Sequence, residues 1–227
     1  MMGFHWPWEA SASITPSLSM LSIGMHLGWA LTLGAGAVFL LRTANATTRR
    51  IVALLVATLC LLPNEWSPSW WLGLAFQTPS LTLQGLCGLY LYQHLKVQAG
   101  TTMPLTDSTT PPVQSRWPLS LLLVTIIAGW VFALDTFALF DIALYAIGFT
   151  PYATLAALFF ACLLQLISAR SRHAQAARHY RELAAIVLIA TLVHLLLRLP
   201  TGNVWDALLD PWLWVIAHVV AVSRLRI

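Results

Sequence analysis

Arg198-Leu-Pro-Thr-Gly-Asn-Val-Trp-Asp-Ala-Leu-Leu-Asp-Pro-Trp-Leu-Trp214 places one arginine, two aspartates, two prolines and three tryptophans between two long apolar runs. The runs themselves read as lipid-soluble helix. Charges, helix-breaking prolines and indoles gathered in one short connection mark an end of a helical hairpin at a membrane–water interface, where such residues collect. The rest of the chain repeats this grammar of apolar runs and aromatic, proline-rich turns.

Composition supports the same conclusion. The 227 residues are 59% hydrophobic and 9% charged, against about 25% charged in an ordinary soluble domain. So little polar surface cannot coat a water-soluble globule, and most of the exterior must face lipid. The sequence pI near 9.3 does not point to nucleic acid, because the basic residues sit at the ends of apolar runs. Cys60, Cys87 and Cys162 all lie inside apolar runs, with neither metal spacing nor a pairing pattern, and read as small core hydrophobes. The N-terminus shows no basic region followed by a cleavable apolar core, so no removable signal peptide is expected.

The spacing predicts an all-α integral membrane bundle of seven spans: 17–41, 51–62, 72–95, 118–134, 144–168, 183–199 and 207–222. About 20 residues of helix cross a hydrocarbon core. The 51–62 run is therefore short, and spans only if Arg49 and Arg50 snorkel and the helix continues to about Trp66. Residues 1–16 form a polar-aromatic interfacial tail. Residues 17–95 form a three-helix half and 118–227 a four-helix half. Between them lies 96–117, rich in Thr, Pro and Gln, which reads as a flexible linker. Pro79 and Pro151 are expected to kink the third and fifth spans near their starts. The basic stretch 169–181 is expected to extend the fifth span or to lie along the interface.

Counting charges orients the bundle. With the N-terminus outside and the C-terminus in the cytoplasm, 11 of the 12 Lys+Arg fall on the cytoplasmic side and Arg198 alone does not. The outer side collects Glu9, Glu65, Asp135, Asp141, Asp206 and Asp210, which are 6 of the 8 acids, and nine of the 11 tryptophans. This is the pattern of a bacterial-type inner-membrane protein. Two short matches suggest a repeat: Trp71…Thr78-Pro79 with Tyr145…Thr150-Pro151, and Leu62-Pro63 with Leu199-Pro200. They are read here as similar interfacial punctuation.

The residues that could carry chemistry are few. Arg198, a charge near the outer end of a span, is expected to pair with Asp206 or Asp210 and so to staple the last hairpin, since an unpaired charge there costs a few kcal/mol. In a functional version the same residues line an outer polar pocket with Asp135, Asp141 and Glu65. Asp206 and Asp210 lie four apart on one element, unlike a catalytic carboxylate dyad, whose members come from separate elements. His26, His194 and His218 lie inside different spans and are candidate axial ligands of a b-type haem, or else hydrogen-bond neighbouring helices. No phosphate loop, nucleophile elbow or metal-binding motif occurs. The features fit a non-catalytic accessory or assembly subunit, partnered in the bilayer by another membrane protein or a second copy. They also fit a haem- or quinone-binding redox subunit. A third fit is a small-solute transporter with a site near Pro79, Pro151 and Arg198.

Overall fold

The computed structural model describes residues 15–95, 118–140 and 143–225. Residues 1–14 of the tail, the linker and Asp141 lie outside the described residues. Those described form helices and turns only: α1 (Leu18–Leu40), α2 (Ala46–Cys60), α3 (Pro68–Phe76), α4 (Leu81–Leu95), α5 (Leu119–Thr136), α6 (Leu144–Ile147), α7 (Pro151–Arg170), α8 (Ala174–Leu197), α9 (Val204–Leu208) and α10 (Pro211–Leu225). Four of them, α1, α5, α7 and α8, are long and apolar enough to cross a membrane. Large apolar side chains cover the outside of the bundle: Leu54, Phe159 and Val219 are each more than 60% exposed. In water that surface would be prohibitive, and in lipid it is the expected solvent contact.

The bundle pairs α1 with α2 and α4, α7 with α8, and α5 with α10, while α4 touches α8 across the centre. Small residues set these approaches, as membrane helices without a hydrophobic drive require. On α7, Ala153, Ala157 and Ala161 recur at the helical repeat. They pack on Val204 at one end and on Ala184 and Val187 of α8 towards the other. On α1, Gly24 lies against Leu199, and Gly28 against Gln84 and Pro79.

Several boundaries differ from those expected. Helix α2 extends backwards instead of towards Trp66: Asn45 Oδ1 accepts from Thr48 N–H at 2.7 Å and starts the helix before Arg49 and Arg50. The basic stretch 174–181 is the first two turns of α8, not a tail on the preceding helix. Neither proline makes a kink. Pro79 lies in a full interruption between α3 and α4, where Gln77 takes a left-handed φ of 62°. Pro151 is the first residue of α7, and the turn of α6 stands apart from it. Proline lacks an N–H and clashes with the preceding turn, so a helix starting at proline loses nothing while one passing through it does. A third interruption, at 209–210, separates α9 from α10.

Candidate functional site

In lipid, the backbone groups freed where a helix stops must find partners inside the protein. At the α3–α4 interruption they do so through side chains from elsewhere in the chain. Trp29 Nε1 of α1 donates to the Gln77 carbonyl at 3.0 Å. Gln84 Nε2 donates to the Pro79 carbonyl at 2.8 Å. The Ser80 N–H donates to Asp210 Oδ2, in the α9–α10 interruption. Asp210 Oδ1 also accepts from Leu213 N–H at 2.6 Å, so the carboxylate starts α10 while closing the gap before α4. Thr82 Oγ1 of α4 donates to the Ala207 carbonyl at 3.4 Å, completing the joint.

The other side of α9 is tied in the same way to α6. Asn203 is fully buried. Its Oδ1 accepts from Trp205 N–H at 2.9 Å, and its Nδ2 donates to the Tyr145 carbonyl at 3.0 Å. Trp205 Nε1 donates to the Leu144 carbonyl at 3.1 Å, and Val204 N–H to the Gly148 carbonyl at 3.0 Å. Gly148 must be glycine for this approach, because an added Cβ would stand 1.8 Å from Asn203 Oδ1. Asp135, at the end of α5, accepts from the N–H groups of Leu144 and Tyr145 at 3.1 and 2.7 Å. The three interruptions thus form one polar knot, with α9 at its centre.

Beside the knot opens a cavity of about 310 Å³. Phe132 of α5, Tyr145 of α6, and Trp205 and Trp214 of the last hairpin face it, together with Asp206 and Asp210. The rings are held in place. Trp205 lies 5.4 Å from Phe132, and Trp214 packs edge-on against Trp130 at 5.1 Å while its Nε1 donates to the Ile126 carbonyl at 3.2 Å. Tyr145 donates its hydroxyl to Asp206 Oδ2 at 2.7 Å, and Thr201 donates to the same oxygen. Burial, and next the Asp206 carboxylate, push the Tyr145 phenol up to about 12. No family model, curated protein or solved structure matches the chain. The chemistry of this site is therefore read from its own residues.

The residues singled out from the sequence are only partly brought together. Asp206 and Asp210 share the cavity. Arg198, Asp135 and Glu65 do not line it, and Asp141 lies outside the described residues. The expected staple is not formed. Among the described residues Arg198 makes no ion pair with Asp206 or Asp210; Asp210 has both oxygens, and Asp206 one, bonded to neutral donors. Arg198 instead ends α8 in a left-handed turn, φ 58°, its N–H donating to the His194 carbonyl at 2.7 Å. Glu65 is exposed, and its backbone carbonyl accepts from Trp71 Nε1 at 2.9 Å.

The three histidines each use Nδ1 on a backbone carbonyl: His26 on Ser22 at 2.8 Å, His194 on Leu199 at 3.0 Å and His218 on Trp214 at 2.9 Å. A carbonyl only accepts, so Nδ1 carries a proton in each. The helices that carry them, α1, α8 and α10, are not packed lengthwise on one another. A second cavity, about 510 Å³ and almost wholly apolar, lies between α1, α4 and α8. Neither cavity is lined by a histidine.

Sequence reasoning gave no site role to Asn203, Tyr145, Phe132 or Gly148. One signal was there to find. Asp210-Pro211 is a capping residue followed by proline at the first helical position, and Thr150-Pro151 repeats the form. Both announce a helix start inside what hydropathy alone treats as one run.

Proposed function

We propose that the chain is a seven-span protein of a bacterial-type inner membrane, N-terminus outside and C-terminus in the cytoplasm, that admits a small solute to the cavity beside its converging helix interruptions. The observation that carries this is the knot itself. Discontinuous helices that converge beside a cavity, with their freed backbone groups tied by side chains from distant segments, resemble the broken helices around which membrane carriers build solute sites. The accessory-subunit and haem readings have no comparable feature in their favour: neither explains why three helices stop at one place.

Seven spans follow if α3 with α4, and α9 with α10, each cross as an interrupted pair, and if α2 crosses alone. At 1.5 Å per residue the 15 residues of α2 reach about 22 Å, which the arginines of its first turns extend by snorkelling. The interruptions then face the acidic, tryptophan-rich outer side.

Two experiments test the proposal. An impermeant maleimide applied to intact cells should label Trp66→Cys and leave Thr43→Cys unlabelled; the reverse pattern inverts the topology. In detergent, a panel of small amines, amino acids, sugars and organic acids should include a solute that raises the melting temperature saturably, an effect abolished by Ala133→Phe, which fills the cavity wall. A protein that no solute stabilises and that co-purifies with a fixed partner is an accessory subunit. A reducible Soret band marks a redox subunit.

A further inference from the structure

We infer that the solute taken by this cavity is a small organic cation, an alkylammonium held against aromatic faces with Asp206 as counter-ion. The inference rests on the solute-binding reading above and names the chemical class that site would select. Four aromatic rings and two carboxylates face a space of about 310 Å³, and no Lys, Arg or His is among the residues that line it. Ring faces carry negative potential and attract a cation placed over them. The lining also includes Thr136, the last residue of α5, and the carbonyl end of a helix favours positive charge.

The two carboxylates have different parts. Asp210 has both oxygens engaged, by Ser80 N–H and Leu213 N–H, and contributes charge alone. Asp206 receives Tyr145 and Thr201 on Oδ2, which leaves Oδ1 without a hydrogen-bond donor among the described residues. Trp205 and Trp214 are fixed at the cavity, each by an indole N–H bonded to a backbone carbonyl. An anion would meet two carboxylates here. A neutral sugar would find one free acceptor and almost no donor, since the Tyr145 hydroxyl and the two indole N–H groups are already committed.

The test uses the purified full chain in detergent at fixed ionic strength, with choline and tetramethylammonium as probes and dimethylbutanol, the uncharged carbon isostere of choline, as control. Both cations should raise the melting temperature saturably, with the isostere at least tenfold weaker. Phe132→Leu should weaken the cations by about threefold to thirtyfold and Phe132→Tyr should preserve binding. Asp206→Asn should weaken them by tenfold or more. If a neutral or anionic solute from the wider panel binds in a manner abolished by Ala133→Phe while the cations do not, the solute reading stands and the cation inference falls. If nothing binds, both fall. Equal binding of choline and its isostere overturns the inference on the wild-type chain alone, whether or not the variants fold.

Discussion

Removing the Asn203 side chain should destabilise the protein more than any other change of comparable size at the last hairpin. Asn203 is fully buried and joins two interruptions, accepting from Trp205 N–H and donating to the Tyr145 carbonyl. In Asn203→Ala both backbone groups lose the partner that the buried side chain supplies. Each stranded group costs about 1–3 kcal/mol, so the change should cost about 2–6 kcal/mol. At about 2–4 °C per kcal/mol for a chain of this size, the melting temperature should fall by roughly 4–24 °C, read by circular dichroism in detergent.

Asn203→Asp refines the test. It keeps the acceptor for Trp205 N–H but sets a carboxylate oxygen against the Tyr145 carbonyl. The introduced carboxyl can repair that contact only by keeping its proton, so its pKa in the folded state is raised above the ordinary value of about 4. A group raised on folding contributes stability that is present below its unfolded pKa and lost as pH rises through its folded pKa. Asn203→Asp should therefore approach the wild type near pH 4 and lose stability as pH rises towards neutrality. If Asn203→Ala melts with the wild type, or the deficit of Asn203→Asp does not shrink on acidification, the knot does not hold the fold together as described.

Three further outcomes follow from the same contacts. Gly148→Ala drives a methyl to within 1.8 Å of Asn203 Oδ1, and this overpacking should cost about 1–3 kcal/mol in melting experiments; an unchanged melt would mean that α6 is not held against α9. Arg198→Gly relieves a left-handed residue that carries no ion pair among the described residues, so stability should hold or rise by up to about 1 kcal/mol, whereas a fall of several degrees would reveal a held guanidinium. Tyr145→Phe should remove one phenolate from the alkaline absorbance titration only near pH 12, where its phenol titrates. Because that pKa is raised on folding, its contribution to stability is complete below about pH 10 and fades between there and about pH 12. A transition lost near pH 10 instead would place Tyr145 in open water.

The sequence by itself determined that this is a helical membrane protein, because lipid offers the backbone no partners and a long uncharged run can satisfy itself only as helix. It also located the polar end of the bundle, since tryptophans, aspartates and prolines have no better place than the interface. Two of the five acids expected at the outer pocket, Asp206 and Asp210, line the cavity. The tertiary structure decided what those residues do. Whether Pro79 bends a helix or sits in a gap depends on whether the freed groups find donors, and the donors come from far along the chain: Trp29 is 48 residues from Gln77, and Asp210 is 130 residues from Ser80. Arg198 and its neighbouring aspartates look paired by proximity in sequence. In three dimensions the left-handed turn at Arg198 ends α8, and the carboxylates bond instead to Ser80, Leu213, Tyr145 and Thr201. Local pattern fixes where a helix can stop, and only the packing of distant segments fixes what meets it there.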